Sequence, residues 1–66
     1  MRITVNGEEI TLEDPCTVAE LLHRYNLHDK ACAVEVNSAL VTKRDHDRRH
    51  LDDQDEVEIV TLVGGG

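Results

Sequence analysis

Phenylalanine and tryptophan are absent from this 66-residue chain, and Tyr25 is its only aromatic residue. Single strands of nucleic acid are held by stacking bases on aromatic rings, so that class of partner finds no platform here. Basic charge is also scarce. Seven Lys and Arg face fourteen Asp and Glu, a formal charge of −7, whereas nucleic-acid binding rests on basic side chains that neutralise phosphates. No apolar run approaches the roughly 20 residues of a membrane span, and no signal-peptide pattern opens the chain. The two cysteines, Cys16 and Cys32, match neither a C-x-x-C redox pair nor a zinc pattern. Reduced thiols and a cytoplasmic location are therefore expected. An acidic protein of this kind suits a basic face on a protein partner, where charge acts mainly on encounter rate.

The length sets a further bound. A domain near this size buries only about 60% of the surface that its unfolded chain exposes. One thin core is expected, without a deep enzyme cleft, and no internal repeat, linker or second domain interrupts the sequence.

Periodicity and punctuation predict an α+β domain in the order β-β-α-β-β-β, a sheet with one helix across a single face. Asn6-Gly7 is a strong two-residue hairpin signal, since both positions tolerate positive φ. It sets Val5 opposite Glu8, Ile3 opposite Ile10 and Met1 opposite Leu12. Pro15 breaks the second strand. Thr17 and Glu20 then form an S/T-x-x-E capping box, with Cys16 and Leu21 at hydrophobic-staple positions. Val18, Leu21, Leu22 and Tyr25 follow helical spacing. Asn26 fits a left-handed helix end, with Leu27 placed to fold back on Leu22. Cys32, Val34 and Val36 alternate as a third strand, which makes Cys32 a small core residue. Asn37-Ser38 turns the chain into a short fourth strand around Leu40 and Val41. Lys43 to His50 is expected as a charged surface segment, irregular or a single turn, and Asp52-Asp53-Gln54-Asp55 as a solvated turn. Val57 to Val63 reads as an internal last strand.

That strand runs directly into Gly64-Gly65-Gly66. Glycine loses more conformational freedom on ordering than any other residue, so this run adds nothing to a core. It provides a thin stalk without side chains. From Val63 the four residues extend to roughly 13–14 Å and end in a carboxylate that is ionised at neutral pH. A carboxylate is a poor electrophile, so chemistry there requires activation by another protein. The tail reads as a substrate handle, against the plainer alternative of a frayed end.

These segments resemble the ThiS family of sulfur carriers, ubiquitin-like β-grasp proteins of thiamine biosynthesis. The resemblance is carried by Ile3-Thr4-Val5-Asn6-Gly7-Glu8, Thr17-Val18-Ala19-Glu20-Leu21-Leu22, Ala33-Val34-Glu35-Val36-Asn37 and Asp55-Glu56-Val57-Glu58-Ile59-Val60, together with the Val63-Gly64-Gly65-Gly66 end. It implies a β-grasp domain over residues 1–62, a mixed sheet of four to five strands with the first and last central and parallel, and a flexible tail at 63–66. It also implies a cycle. An E1-like adenylyltransferase of the ThiF type uses ATP to adenylate Gly66. A persulfide derived from a cysteine desulfurase converts the adenylate to a thiocarboxylate, and a thiazole synthase of the ThiG type takes the sulfur. Gly65 and Gly64 would line the threading channel, with Val63 and Leu62 docking at its mouth. The carrier is a cosubstrate with no bound cofactor. Two relatives of the same fold remain as alternatives: a molybdopterin synthase small-subunit carrier and a ubiquitin-like modifier joined through Gly66 to lysines. Three positions depart from the family pattern. Thr42 stands where a proline is common, His46 where a tryptophan is common, and Gln54 within a frequent D-G-D turn.

Other patterns carry less. His46 and His50 have an i, i+4 spacing that binds metal only on a helix with further ligands. The acids between Asp45 and Asp55 lack the glycine and glutamate offsets of a calcium loop. Lys43, Arg44, Arg48 and Arg49 are interleaved with Asp45 and Asp47, a mixed-charge surface. His23 and Arg24 suit the negative end of the helix dipole.

Overall fold

The computed structural model describes residues 1–62. Five strands form one sheet in the order β2-β1-β5-β3-β4. They are β1 (Arg2–Val5), β2 (Glu8–Thr11), β3 (Cys32–Val36), β4 (Ala39–Val41) and β5 (Glu56–Thr61). One helix, α1 (Val18–Arg24), follows the first hairpin. β1 and β5 are adjacent and parallel, and the other pairings are antiparallel. This is the β-grasp arrangement.

Both hairpins follow from their turn residues. Asn6 and Gly7 take φ of +50° and +83°, and Asn37 and Ser38 take +52° and +71°. Positive φ at both central positions gives a turn whose twist matches that of the flanking strands. The first hairpin has the expected register, with Ile3 opposite Ile10 and Val5 opposite Glu8.

Helix α1 is closed at both ends by its own sequence. Thr17 Oγ1 accepts from the Glu20 N–H at 3.1 Å, and Glu20 Oε1 accepts from the Thr17 N–H at 2.8 Å. Such a cap is worth about 1 kcal/mol. At the other end Asn26 adopts φ +59°. The Leu27 N–H donates to the Leu22 carbonyl at 2.8 Å and the Asn26 N–H to that of His23 at 3.0 Å. Those two bonds make a Schellman motif.

Val18, Leu21 and Leu22 are buried together with Ile3, Val5, Val34, Val36, Val57 and Ile59. Successive strand residues point to opposite faces, so the helix covers one face of the sheet and the odd-numbered residues of β5 turn toward it. Tyr25, expected on the helix stripe that faces the core, is instead exposed, at 37%, because it is the C-cap where the helix ends. Cys32 is only partly buried, at the margin of the core where β3 begins.

One expectation is extended and one is corrected. The Lys43–His50 segment is largely exposed, as expected, but it also has a structural role. After a 3₁₀ turn at Lys43–Asp45, its backbone closes the N-terminus of α1. The Ala19 N–H donates to the His46 carbonyl at 2.8 Å and the Val18 N–H to that of Arg49 at 3.0 Å. A helix leaves its first N–H groups unpaired, and here a distant segment satisfies two of them. His46 is consequently 9% exposed, with Nε2 3.1 Å from the Val41 carbonyl. The Asp52–Asp55 turn is likewise only partly solvated, because Asp55 is 6% exposed. Its carboxylate accepts from Asn37 Nδ2 at 2.9 Å and from the Asp52 N–H at 2.8 Å, and lies 3.8 Å from Arg49 Nη2. Burial of a charge is tolerated when hydrogen bonds and a counter-charge surround it.

Candidate functional site: the root of the C-terminal tail

Of the residues singled out from sequence, Val63, Gly64, Gly65 and Gly66 lie outside the described residues. Leu62 is described, and with it the platform from which the tail departs. β5 is held on both sides. Against β3 it pairs from Val36↔Val57 to Cys32↔Thr61, and the Leu62 N–H continues that ladder to the Ala31 carbonyl at 2.8 Å. Against β1 it pairs at Thr4↔Glu56 and Val5↔Val57, with the Asn6 N–H donating to the Val57 carbonyl at 2.9 Å. The regular strand therefore stops at Thr61, two residues short of the expected Val63, and Leu62 is its last described backbone pair.

Asn6 then does what a further β1 residue would do. Its Oδ1 accepts from the Ile59 N–H at 2.7 Å, and its Nδ2 donates to the Ile59 carbonyl at 3.2 Å. Asn37 holds the start of β5 in a similar way: Oδ1 accepts from the Glu56 N–H at 2.9 Å. Asparagines chosen for their turn conformation thus also pin the strand that carries the tail. Their dipeptides mark turns in the sequence, but nothing local signals the second role, since each partner lies far along the chain.

The face of the sheet opposite α1 carries an apolar patch beside the tail root. Val60 and Leu62 are each 56% exposed and Leu40 is 64% exposed. Val60 lies opposite Ala33, while Leu40 lies opposite Glu35 and Glu35 opposite Glu58. Carboxylates therefore border one flank of the patch. Val60 and Leu62 are the apolar groups nearest the tail root, and Leu40 lies on the same face two strands away with Glu35 between. Exposed apolar groups flanked by carboxylates suit a partner with apolar and basic residues. Sequence patterning assigned Leu40 and Val60 to strands but did not reveal that they share one open face with Leu62.

Cys16 is not set up for chemistry. Desolvation, with the nearby Glu20 carboxylate adding to it, pushes the Cys16 thiol up from its ordinary pKa. A raised pKa keeps the thiol protonated and a weak nucleophile. Its Sγ lies 3.3 Å from the Thr17 carbonyl, consistent with the packing role expected ahead of the helix cap. His46 and His50 do not form a chelating pair, because the segment is not an α-helix and His46 Nε2 is engaged by a carbonyl. Among the described residues no three ligating side chains gather around one point, and no helix is long and apolar enough to cross a membrane.

The family model described as "ThiS family" matches residues 1–66. The chain belongs to the ThiS family. Sulfur carrier protein ThiS of Bacillus subtilis is 35% identical over 65 residues, covering 97% of this chain and 98% of that protein. An uncharacterized protein, ycf40, of Porphyra purpurea is 38% identical over 64 residues, covering 97% of this chain and 90% of that protein. A thiazole synthase of Paramagnetospirillum magneticum is 35% identical over 66 residues, all of this chain but 20% of that protein. The crystal structure of the thiamine biosynthesis protein ThiS of Geobacter metallireducens superposes with a TM-score of 0.83 at 30% identity, covering both chains completely. The ThiS fold is thereby matched over its full length. At two of the positions read from sequence as departures from the family pattern, the backbone suits the residue that the resemblance implied: Thr42 has φ −67°, which proline would adopt, and Gln54 has φ +74°, which favours glycine.

Proposed function

We propose that this ThiS-family protein carries sulfur for thiamine biosynthesis on Gly66 and is itself a cosubstrate. An E1-like adenylating enzyme of the ThiF type joins the Gly66 carboxylate to the α-phosphate of ATP and releases pyrophosphate. The terminal sulfur of a persulfide, supplied through a cysteine desulfurase, displaces AMP. Reduction of the resulting acyl disulfide by a thiol leaves the Gly66 thiocarboxylate. Thiazole synthase accepts that sulfur, and the carboxylate is regenerated. Adenylation is needed because carboxylate oxygen is a poor leaving group and AMP a good one. Gly64 and Gly65 line the channel of each enzyme, while Val63 and Leu62 dock at its mouth.

The observation that carries this reading is the mounting of β5: a central strand, bonded on both sides, ends in an exposed Leu62 beside an apolar patch. A fixed root gives the thin tail a defined direction while its end stays available to two enzymes. The destination in thiazole, ahead of a pterin or a protein lysine, is supported by the match to a thiazole synthase that contains a stretch similar to this entire chain. Reconstitution with the adenylating enzyme, ATP and a persulfide donor tests the reading. The wild type forms a Gly66 thiocarboxylate, and the variant lacking Gly66 forms none while melting normally. Equal loading of a folded, shortened chain contradicts it.

A further inference from the structure

Beyond Ile59, the side of β5 that faces β1 is open. In an antiparallel ladder, hydrogen-bonded and non-hydrogen-bonded pairs alternate. The Leu62 N–H bonds to Ala31 and the Glu56 carbonyl to Asn37, so Glu56, Glu58, Val60 and Leu62 direct their backbone groups to β3. Val57, Ile59 and Thr61 direct theirs to the opposite side. There Val57 meets the Asn6 backbone and Ile59 meets the Asn6 side chain. Thr61 comes two residues later, about 7 Å further along the strand, after β1 has turned away at Asn6-Gly7. Among the described residues nothing pairs with its N–H or carbonyl on that side. Thr61 instead borders a groove formed with Val5, Asn6, Glu8, Tyr25, Leu27 and Ile59.

We propose that an extended segment of thiazole synthase enters this groove and pairs with Thr61, occupying the place in the sheet that β1 vacates at Asn6. The proposal rests on the sulfur-carrier reading and names the contact that aims the tail. Three observations select the occupant. The chain matches one fifth of each of two bacterial thiazole synthases, which joins this domain and that enzyme in one polypeptide there. The groove adjoins Leu62, so a strand beside Thr61 lies along the first part of a tail entering the enzyme. Its walls are also complementary to an amphipathic strand: Tyr25 and Leu27 offer an apolar side, and exposed Glu8 accepts a Lys or Arg. Strand addition of this kind draws affinity from backbone bonds and specificity from alternate side chains. With β3 on one side and the enzyme segment on the other, β5 gives the tail a direction that glycines cannot impose on themselves.

The test replaces the Thr61 backbone amide with an ester by chemical ligation of the full chain, which removes the N–H and leaves every side chain intact. The ester chain, carrying a Gly66 thiocarboxylate, is expected to bind thiazole synthase roughly three- to tenfold more weakly than wild type, the range for one hydrogen bond. The ester also makes the Val60 carbonyl, which faces β3 in the ladder, a weaker acceptor, so a small drop in melting temperature is expected and binding is compared at a temperature where both chains are fully folded. Thr61→Pro removes the same donor and adds a ring in the path of the incoming strand. A loss greater than tenfold is expected there, while Leu62→Pro, which breaks the bond to Ala31, lowers stability instead. In the complex with wild type, exchange of the Thr61 amide slows. An ester chain that binds as tightly as wild type, or a Thr61 amide that exchanges equally fast in the complex, overturns the pairing. Protection by the adenylating enzyme alone overturns the choice of occupant. Wild-type thiocarboxylate that gives no sulfur to thiazole synthase defeats the carrier reading itself, a result separate from any difference between wild type and ester.

Discussion

The Asn6 side chain and the Ile59 backbone exchange two hydrogen bonds, 2.7 Å from the Ile59 N–H and 3.2 Å to its carbonyl. A single turn residue thereby extends the parallel pairing of β1 with β5. Asn6→Gly preserves the positive φ and removes the clamp, at the added cost of glycine's unfolded-state freedom. It is expected to lower stability by about 1–3 kcal/mol, the cost of leaving part-buried backbone groups unpaired. Denaturant titration measures this, and amide exchange at Ile59 should accelerate more than at Val34. Unchanged exchange at Ile59 would mean that the clamp holds nothing.

His46 makes the second long-range tie, through Nε2 to the Val41 carbonyl and through its own carbonyl to the Ala19 N–H. His46→Ala opens a void beside Val41 and frees the segment that closes α1. A loss of about 1–3 kcal/mol is expected, read as a melting temperature several degrees lower. His50→Ala, at an exposed position, is the control and should shift stability by less than about 0.5 kcal/mol. Equal effects at the two histidines would contradict the placement of His46.

Gln54 sits at φ +74°. A side chain in the left-handed region costs roughly 1–2 kcal/mol, and the extra unfolded-state freedom of glycine returns about 0.5–1 of that. Gln54→Gly is therefore expected to stabilise the domain by roughly 0.5–1 kcal/mol by this difference. The bond from the Gln54 N–H to the Arg2 carbonyl survives the change. A lower melting temperature for the glycine variant would show that the Gln54 side chain contributes more than its backbone strain costs.

Acid should loosen the junction of β1 with the Asp52–Asp55 turn. The Arg2 N–H, 2.7 Å from Asp53 Oδ1, and then the Gln54 side chain hold the Asp53 carboxyl below its ordinary pKa. A carboxylate whose folded pKa is depressed binds fewer protons in the folded chain, so it stabilises at high pH. That contribution is complete above the ordinary carboxylate value near pH 4 and disappears as pH falls through the lower folded value. The stability gap between wild type and Asp53→Asn should be constant from pH 5 to 7 and close below pH 4. A gap independent of pH would refute the assignment.

Local chemistry explains which features the sequence made legible. Asn6-Gly7, Thr17 with Glu20, and Asn26 each act on neighbours within five residues, and each produced the expected turn or cap. Alternation placed Val34 and Val36 on the core face because a strand has a fixed period. Two roles could not be read in this way. Lys43 to His50 is rich in charge, and composition speaks for side chains, whereas its contribution to α1 comes from the backbone carbonyls of His46 and Arg49. Asp55 looked like one more turn-forming acid; only the fold brings Asn37 and Arg49 around it. The tail itself was the clearest signal of function, and its root became interpretable once Leu40, Val60 and Leu62 were found on one open face.

The central claim is that Gly66 carries sulfur, and intact mass measures it most directly. The protein should be isolated from a thiamine-starved host that contains its adenylating enzyme and sulfur donor but lacks thiazole synthase. The account predicts a species heavier by the difference between one sulfur and one oxygen, with the added mass confined to the peptide ending in Gly66. A free carboxylate alone, with both partner enzymes verified as active, would contradict it.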